Sequence, residues 1–419
     1  MKKSQLLSCI FMGLGQIYNK QYLKGIMFML IEIIALINIP NFAKAFWGLY
    51  TLGEVKFHYV NGRAVFDHSI FLMLKGLIAV LLLILVMILY IFNVKDAKNY
   101  AEKGIKRTSF KDVLDNMFPY IVLTPGLLSI MFLILLPIIF TVLVAFTNYS
   151  APYHLPPRNL VDWVGFQNFK DLFKMDIWNN TLKGTLKWTI IWAFLATFTS
   201  YFGGLFLAML INSQEIKLKK LWRSIFILPY AIPGLISMLV MRLMFSGPGI
   251  INDILEKIGL QRVDWLTEPL NAKIVLILIN LWLGAPYFMA LMTSILTNIP
   301  KDLYESADID GASFLHKFFH ITLPLVFYST TPLIIMSFAY NFNNFMLIYA
   351  VTDGGPVNPD YRYAGHTDLL ISWIYKMTVE QQQYHMASVV TMLIFLIIAP
   401  AIAFFFTRTR SFKEEDLIQ

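Results

Sequence analysis

The sequence predicts an all-α integral membrane protein. Hydrophobic residues make up 57% of the chain and charged residues only 14%, where a soluble domain carries about 25% charge. Mean hydropathy is +0.62. The charge deficit is concentrated in apolar runs, each near the roughly 20 residues that a helix needs to cross a bilayer.

About eight such runs can be placed by length and apolarity. They cover 23–39, 70–93, 120–147, 184–211, 223–245, 273–296, 324–349 and 386–406. The stretch Leu6–Tyr18 is short and broken by glycine, which predicts an interfacial or re-entrant helix. Lys and Arg in the loops set the orientation. Lys95, Lys98, Lys103, Lys106, Arg107 and Lys111 lie between spans two and three, and Lys217, Lys219, Lys220 and Arg223 between spans four and five. Arg408, Arg410 and Lys413 follow the last span. These loops and the amino terminus then share one side, so the expectation is a multi-pass protein of the cell membrane with both termini cytoplasmic. Trp163, Trp178, Trp265 and Trp373 fall in or near the outer loops, where aromatic side chains anchor. The net charge of +8 reads as basic loops facing lipid, with membrane lipid and no nucleic acid as partner. Cys9 is the single cysteine, which excludes an internal disulfide and a cysteine metal cluster. Glycines and polar residues interrupt the apolar stretch after Met1-Lys2-Lys3, so no cleavable signal peptide is expected.

The loop between spans six and seven is nearly neutral, unlike the other internal loops. It runs from Pro300 through Leu303, Glu305, Ser306, Ala307, Asp308 and Asp310 to Gly311. Pro300 can open a helix. Leu303, Ala307 and Asp310 share one face and Glu305 and Asp308 another. Gly311 permits a sharp turn. A short helix, a glycine hinge and a second short helix follow, lying at the membrane surface. On periodicity alone a plain surface helix between spans fits equally well.

Within the spans, Ser337, Asn341 and Asn344 recur at i, i+4, i+7, one helical face. Tyr230 and Gly234 lie beside Pro229 and Pro233, and Asn280 and Gly284 precede Pro286. Amides do not face lipid without cost. Either this face lines a cavity, or it makes inter-helix hydrogen bonds of about 0.6–2 kcal/mol each. The cluster contains no ionisable side chain. That suits a neutral polyol bound by amides, hydroxyls and the aromatic faces of Tyr230, Trp282 and Tyr340, and argues against proton or sodium coupling, which uses buried carboxylates. Glu32 and Arg242 are the main charges inside spans. Arg242 is expected to snorkel to the outer interface, and no role is assigned to Glu32.

Glu305-Ser306-Ala307, then Gly311, then Ile321-x-Leu323-Pro324, resembles the EAA loop of ABC-importer permeases, with Ser306 where the consensus has alanine. From about Asn168 onward the chain resembles the larger maltose-type permease subunit. The stretches that carry this are Ile227-Leu228-Pro229-Tyr230-Ala231-Ile232-Pro233, Asn280-Leu281-Trp282-Leu283-Gly284, Ser337–Phe345, Gly354-Gly355-Pro356 and Ala364–Leu370. The start of the chain resembles only the amino-terminal extension of some members.

The resemblance implies a type I ABC importer permease fold. It divides the chain into an extension, 1–115, a permease core, 116–410, with its coupling loop at 300–324, and a tail, 411–419. It implies that Glu305, Ser306, Ala307, Asp310 and Gly311 couple to an ATPase. It implies that Tyr230, Gly234, Asn280, Leu283, Gly284, Ser337, Asn341 and Asn344 line a sugar site, with Gly234 where better-known members have serine. The implied partners are a second permease subunit, an ATP-binding-cassette ATPase dimer and an extracellular sugar-binding lipoprotein. The chain has no G-x-x-x-x-G-K-S/T phosphate loop. It is therefore expected to be a transporter subunit, not an enzyme, with no cofactor of its own and with ATP and magnesium on the ATPase. The expected cargo is maltose or maltodextrin, with a galacto-oligosaccharide as the alternative. An ion-coupled secondary transporter would need buried acids and often inverted repeats. A membrane enzyme would need a carboxylate and metal constellation, for which Asp308 with Asp310 is the only near candidate.

Overall fold

The computed structural model describes residues 3–103, 110–155, 159–213 and 215–408. Lys106, Arg107, Arg410, Lys413 and the tail 411–419 lie outside the described residues. In hydrocarbon every backbone polar group must be satisfied within its own segment, so apolar runs of this length become helices. The chain divides into two compact units, one running to Asn168 with Gln383–His385 added, the other taking the remainder.

The first unit opens with α1 (Lys3–Ile10) and α2 (Leu14–Tyr18), followed by α3 (Tyr22–Ile37) and α4 (Ile39–Thr51). An antiparallel hairpin comes next, β1 (His58–Val60) and β2 (Arg63–Val65), with His58 opposite Val65. The long α5 (Ser69–Lys103) follows. Then α6 (Phe110–Ser129) runs through a π turn, Ile130–Leu135, into α7 (Leu136–Ala145). Leu52, Met73, Val144 and Val161 form the buried apolar cluster of this unit. Asn168 donates from Nδ2 to the carbonyls of Ala145 at 2.8 Å and Thr147 at 2.7 Å, satisfying the end of α7.

The glycine-broken start is a real break. Gly13 sits at φ +88° between α1 and α2, and the peptide groups freed there are met by buried side chains of α5. Asn93 Oδ1 accepts from Gly13 N at 3.0 Å, and its Nδ2 donates to Ser8 O at 3.3 Å. Gln16 donates to Asn93 O at 2.9 Å, and Asn19 to Ala97 O at 3.0 Å. Glu32 gains a role here, because its carboxylate accepts the amide of Met12. Lys24 pairs with Asp96 at 3.4 Å. The freed peptide groups that these side chains reach are thus satisfied, while Gln21 Oε1, buried at the start of α3, has no hydrogen-bond partner among the described residues.

The second unit follows α8 (Gln167–Lys174). Its centre is α9 (Asp176–Asn212), a single helix of 37 residues. Then come α10 (Lys219–Ala231), α11 (Gly234–Met244), α12 (Ile250–Lys257), α13 (Pro269–Asn298), α14 (Lys301–Ile309) and α15 (Phe314–Lys317). A π turn, Phe318–Thr322, leads into α16 (Leu323–Phe342), and α17 (Phe345–Val351) and α18 (Leu370–Tyr375) precede the last span, α19 (Tyr384–Thr407). Both α13 and α16 pack along α9. One apolar cluster joins Trp188, Trp192, Val275, Ile279 and Leu347, and a second joins Tyr201, Phe288, Met289 and Val326.

Among the described residues, six helices are long and apolar enough to cross a membrane, and two bent pairs raise the number to eight if each is one span. The eight spans read from the sequence therefore change in form. In the first, α3 and α4 bend by 53° at Asn38, with Pro40 opening the second helix. In the fifth, α10 and α11 meet at 91°. Pro229 lies inside α10 and Pro233 caps α11; each lacks a backbone donor and crowds the preceding turn. The seventh starts earlier, at Phe314, and stops at Phe342. The remainder of the run read from the sequence is the separate α17.

A 91° break serves a crossing segment or a re-entrant one, and the two place its flanks differently. Reporter fusions after Lys219 and after Asp253 are expected to read opposite sides of the membrane. Fusions reading the same side would make α10 and α11 a re-entrant pair and reduce the span count.

Candidate functional site

Down one side of α9 runs a stripe of small residues: Thr181, Thr185, Thr189, Ala193, Ala196, Ser200, Gly204 and Ala208, all buried. Their spacing is three or four, so they share a face. Small side chains let helix backbones approach closely in a membrane. The threonines return their hydroxyls to their own helix, Thr185 to Thr181 O and Thr189 to Thr185 O, both at 2.7 Å. Two hydroxyls near the middle of α9, Thr197 and Ser200, point instead to its neighbours.

Those neighbours carry the amides singled out from the sequence. Asn280 on α13 is buried and donates from Nδ2 to Ala196 O at 3.2 Å and Ser200 Oγ at 3.1 Å. One turn on, Gly284 faces the same serine: a Cβ there would stand 2.7 Å from Ser200 Oγ. Asn341, near the end of α16, is buried and donates to Thr197 Oγ1 at 3.1 Å and Ser337 Oγ at 3.5 Å. Trp192 Nε1 donates to the Asn341 carbonyl at 3.0 Å. Six polar side chains from three helices thus form an uncharged mesh on α9, in two hydrogen-bonded groups, one around Asn280 and one around Asn341.

Asn344 departs from the sequence reading. The face Ser337, Asn341, Asn344 is not continuous, because α16 ends at Phe342 and Asn344 is the N-cap of α17. Its Oδ1 accepts from Leu347 N at 3.4 Å. An asparagine offers a side-chain acceptor to an unpaired helical N–H, which is why a helix starts well there. With span seven running from Phe314 to Phe342, Ser337 lies in its last third.

The remaining predicted residues are not drawn into the mesh. Leu283 packs against the Trp188 and Trp192 cluster. Tyr230 is 66% exposed at the end of α10. Gly234 opens α11 onto free space, with only Met238 Cε near, at 3.8 Å. Tyr340 is 72% exposed, and Trp282 is exposed on α13. These aromatic faces lie on the surface of the unit, and the amides lie inside it. Arg242 reaches the Ala350 carbonyl at the end of α17 at 3.4 Å. Sequence reasoning missed Trp192, Thr197 and Ser200. Their signal was present as the small-residue period of α9, which carries no motif.

The loop between α13 and α16 folds as a helix, a glycine turn and a helix. Gly311 sits at φ +74°. Its N–H bonds Asp308 O at 3.1 Å and Ala312 N bonds Ala307 O at 2.9 Å, the paired bonds that close a helix on a left-handed residue. Ser313 then caps α15 by accepting from His316 N. Lys317 and Asp308 pair across the turn at 2.6 Å, and Tyr304 bonds Thr322 at 2.9 Å. Glu305, Ser306, Asp310 and Gly311 are exposed and Ala307 is half-buried. Ile309 is 88% exposed, and Leu303, Phe314 and Leu315 are exposed too. An apolar surface of this kind at the end of a helix hairpin has the character of a docking surface.

Residues 200–410 match the family of binding-protein-dependent transport system inner membrane components. The galactooligosaccharides transport system permease protein of Bacillus subtilis is 38% identical over 98% of this chain and 98% of its own length. The maltodextrin transport system permease protein of the same organism is 37% identical over 100% of this chain and 98% of its own length. A bacterial ABC transporter involved in the import of the acidic polysaccharide alginate superposes with a TM-score of 0.57 over 72% of this chain and 98% of that one, at 22% identity; that likeness is one of fold. A helical core built on α9, closed by a solvent-exposed helix–glycine–helix loop and similar along its whole length to transport permeases, places the chain in the family of binding-protein-dependent transport system inner membrane components, as a multi-pass permease subunit and not an enzyme.

Proposed function

We propose that the chain is the larger membrane-spanning subunit of an ATP-binding-cassette importer that carries a neutral oligosaccharide. One observation carries the reading: α16 joins the exposed loop at its start to the amide mesh at its end. Its 20 residues span about 30 Å, and through the π turn it continues α15. A displacement of α14 and α15 by a docked ATPase is transmitted along α16, which stays one helix through Pro332, to Ser337 and Asn341. The partners in this reading are an ATPase dimer that seats on Glu305, Ser306, Ala307, Asp310 and Gly311, a second permease subunit, and an extracellular sugar-binding lipoprotein. ATP and magnesium belong to the ATPase. Both termini are cytoplasmic, on the side of the basic loops, and the resemblance supports the division into an extension over 1–115 and a core over 116–410.

The mesh supplies the chemistry for a polyol. An amide carries two donors and two acceptor sites. Asn280 uses its nitrogen on α9 and Asn341 uses its own on α9 and on Ser337 of its own helix, and their side-chain oxygens make no hydrogen bond among the described residues. Asn344 uses its oxygen as a cap and keeps its nitrogen. Sugar hydroxyls, which both donate and accept, match these unused groups. Tyr230, Gly234, Leu283, Gly284 and Ser337 complete the path, with the exposed rings of Tyr230 and Tyr340 as stacking faces. The absence of ionisable groups from this set favours ATP drive over ion coupling. The cargo is maltodextrin or, alternatively, a galacto-oligosaccharide, since relatives of both kinds match at nearly equal identity. Competition of each sugar against uptake of the other by cells carrying the importer decides between them.

Replacing Asn341 and Asn344 together by alanine is expected to lower uptake of labelled maltotriose about five- to hundredfold, the loss of about 1–3 kcal/mol from an unpaired buried group. Thr197→Val removes only the helix partner of Asn341 and is expected to leave uptake within about twofold, near the small value of a membrane hydrogen bond. Equal losses in the two variants, at equal protein level by immunoblot, would reduce the mesh to packing. Gly311→Val puts a β-branched residue at positive φ. It is expected to abolish sugar-stimulated ATP hydrolysis while the complex still assembles on a tag pull-down. Parental hydrolysis and uptake in that variant would remove the loop from coupling.

A further inference from the structure

The loop between α17 and α18 folds over a cavity of about 330 Å³ that no part of the mesh uses. Asp353, Asn358, Tyr361, Tyr363, Lys376 and Glu380 are among its lining residues. Its walls are stitched from beneath. Asp368, buried, accepts from Gly365 N at 2.7 Å, Ser372 Oγ at 2.7 Å and Lys376 Nζ at 2.8 Å. Lys376 also reaches Asp353 O at 2.7 Å, and Thr367 Oγ1 reaches Gly355 O at 2.6 Å. Gly354 is required at this corner: it sits at φ +73°, and a Cβ there would stand 2.1 Å from Asp368 Oδ1. The wall is therefore rigid before anything binds.

Two lining side chains stand in strained backbone. Asp353 is at φ 51° and Tyr363 at φ 60°. For a bulky residue such as tyrosine this is a true outlier, and such strain is retained mainly where a clamp or site needs it. Tyr363 is held by Arg362, whose guanidinium lies 4.4 Å over the ring and donates to the hydroxyl at 2.7 Å. The side-chain carboxylates of Asp353 and Glu380 are exposed, and neither is in an ion pair among the described residues.

We propose that this cavity is a second, outer subsite for a hexose unit of the transported oligosaccharide. The proposal rests on the reading of the chain as an oligosaccharide permease with this loop outside. The lining offers both hydrogen-bonding senses. Asp353 and Glu380 accept, and Lys376, with two of its three protons placed on Asp353 and Asp368, donates the third. Sugar hydroxyls need both senses, and a tyrosine face suits the apolar face of a pyranose. A cationic side chain from a docking protein would use only the acceptors and would meet the Lys376 ammonium. The position is also suitable. Asn344 caps one end of α17, and Asp353 lies just beyond the other; its seven residues extend about 10 Å. One short helix thus ties the outer cavity to the mesh.

The test uses the transporter purified from membranes through a tag on this chain and held in lipid nanodiscs. Saturation-transfer NMR is recorded with maltotriose and with galactosyl-lactose. Tyr363→Asn removes the ring but tolerates the left-handed backbone, and Glu380→Ala removes an exposed carboxylate that makes no hydrogen bond or ion pair among the described residues. The expected result is a signal for at least one sugar that falls at least threefold in each variant, and by a similar factor in an Asn341→Ala/Asn344→Ala background. An unchanged signal in both variants, or no signal from either sugar in the parental protein, overturns the subsite. So does an unchanged sugar signal with lost stimulation of ATP hydrolysis by the binding protein, which would make the cavity a protein dock. If parental cells take up neither sugar, the oligosaccharide reading fails, while the binding signals still decide the cavity.

Discussion

The second unit depends on how closely α9 lets other helices approach. Between helices in a membrane there is no hydrophobic drive, because lipid tails are as apolar as leucine. Contact must be gained by packing and by polar pairing. α9 supplies both: a small-residue stripe from Thr181 to Ala208, and the hydroxyls of Thr197 and Ser200 where Asn341 and Asn280 arrive. Trp188 and Trp192 add indole donors that hold the Thr367 carbonyl, at 3.1 Å, and the Asn341 carbonyl, at 3.0 Å. A larger residue at Ser200 would press on Gly284 and displace Asn280 together.

Breaks in helices do the complementary work. Where α16 stops and Asn344 starts α17, backbone groups are freed beside polar side chains and not beside lipid. The prolines at the α10–α11 turn break the chain on the surface of the unit instead, leaving Tyr230, Leu228 and Ile232 uncovered. Such an uncovered apolar face on a membrane chain fits a neighbouring protein, as the family membership implies. The loop at Gly311 is a third break, on the far side of α16. A continuous helix between two breaks can carry a displacement from one to the other, and this gives the proposed coupling a physical route.

The first unit meets the same constraint with a different solution. Gly13 breaks the chain between α1 and α2, and the amides of Asn93, Gln16 and Asn19 close the gap from within. Glu32 belongs to that closure. An acid in a span reads as a candidate functional group. Here it is spent on the Met12 backbone N–H, with Lys24 and Asp96 paired nearby at 3.4 Å.

The sequence by itself determined the class, the approximate places of the spans and the form of the loop. Hydrocarbon permits almost no alternative to a helix for an apolar run of about 20 residues, and a turn at φ +74° admits Gly311 far more readily than any other residue. It also marked Asn280, Ser337, Asn341 and Asn344 as residues that need partners. Which partners they have was decided by the tertiary structure. Thr197 and Ser200 lie far from those amides along the chain, and nothing in local periodicity tells a hydroxyl that returns to its own helix from one that crosses to another. The same holds for the end of α16 at Phe342, where an asparagine cap outweighs an apolar run that continues past it, and for the 91° turn at Pro233, since a proline signals a loosened helix but its angle follows from the neighbours it packs against.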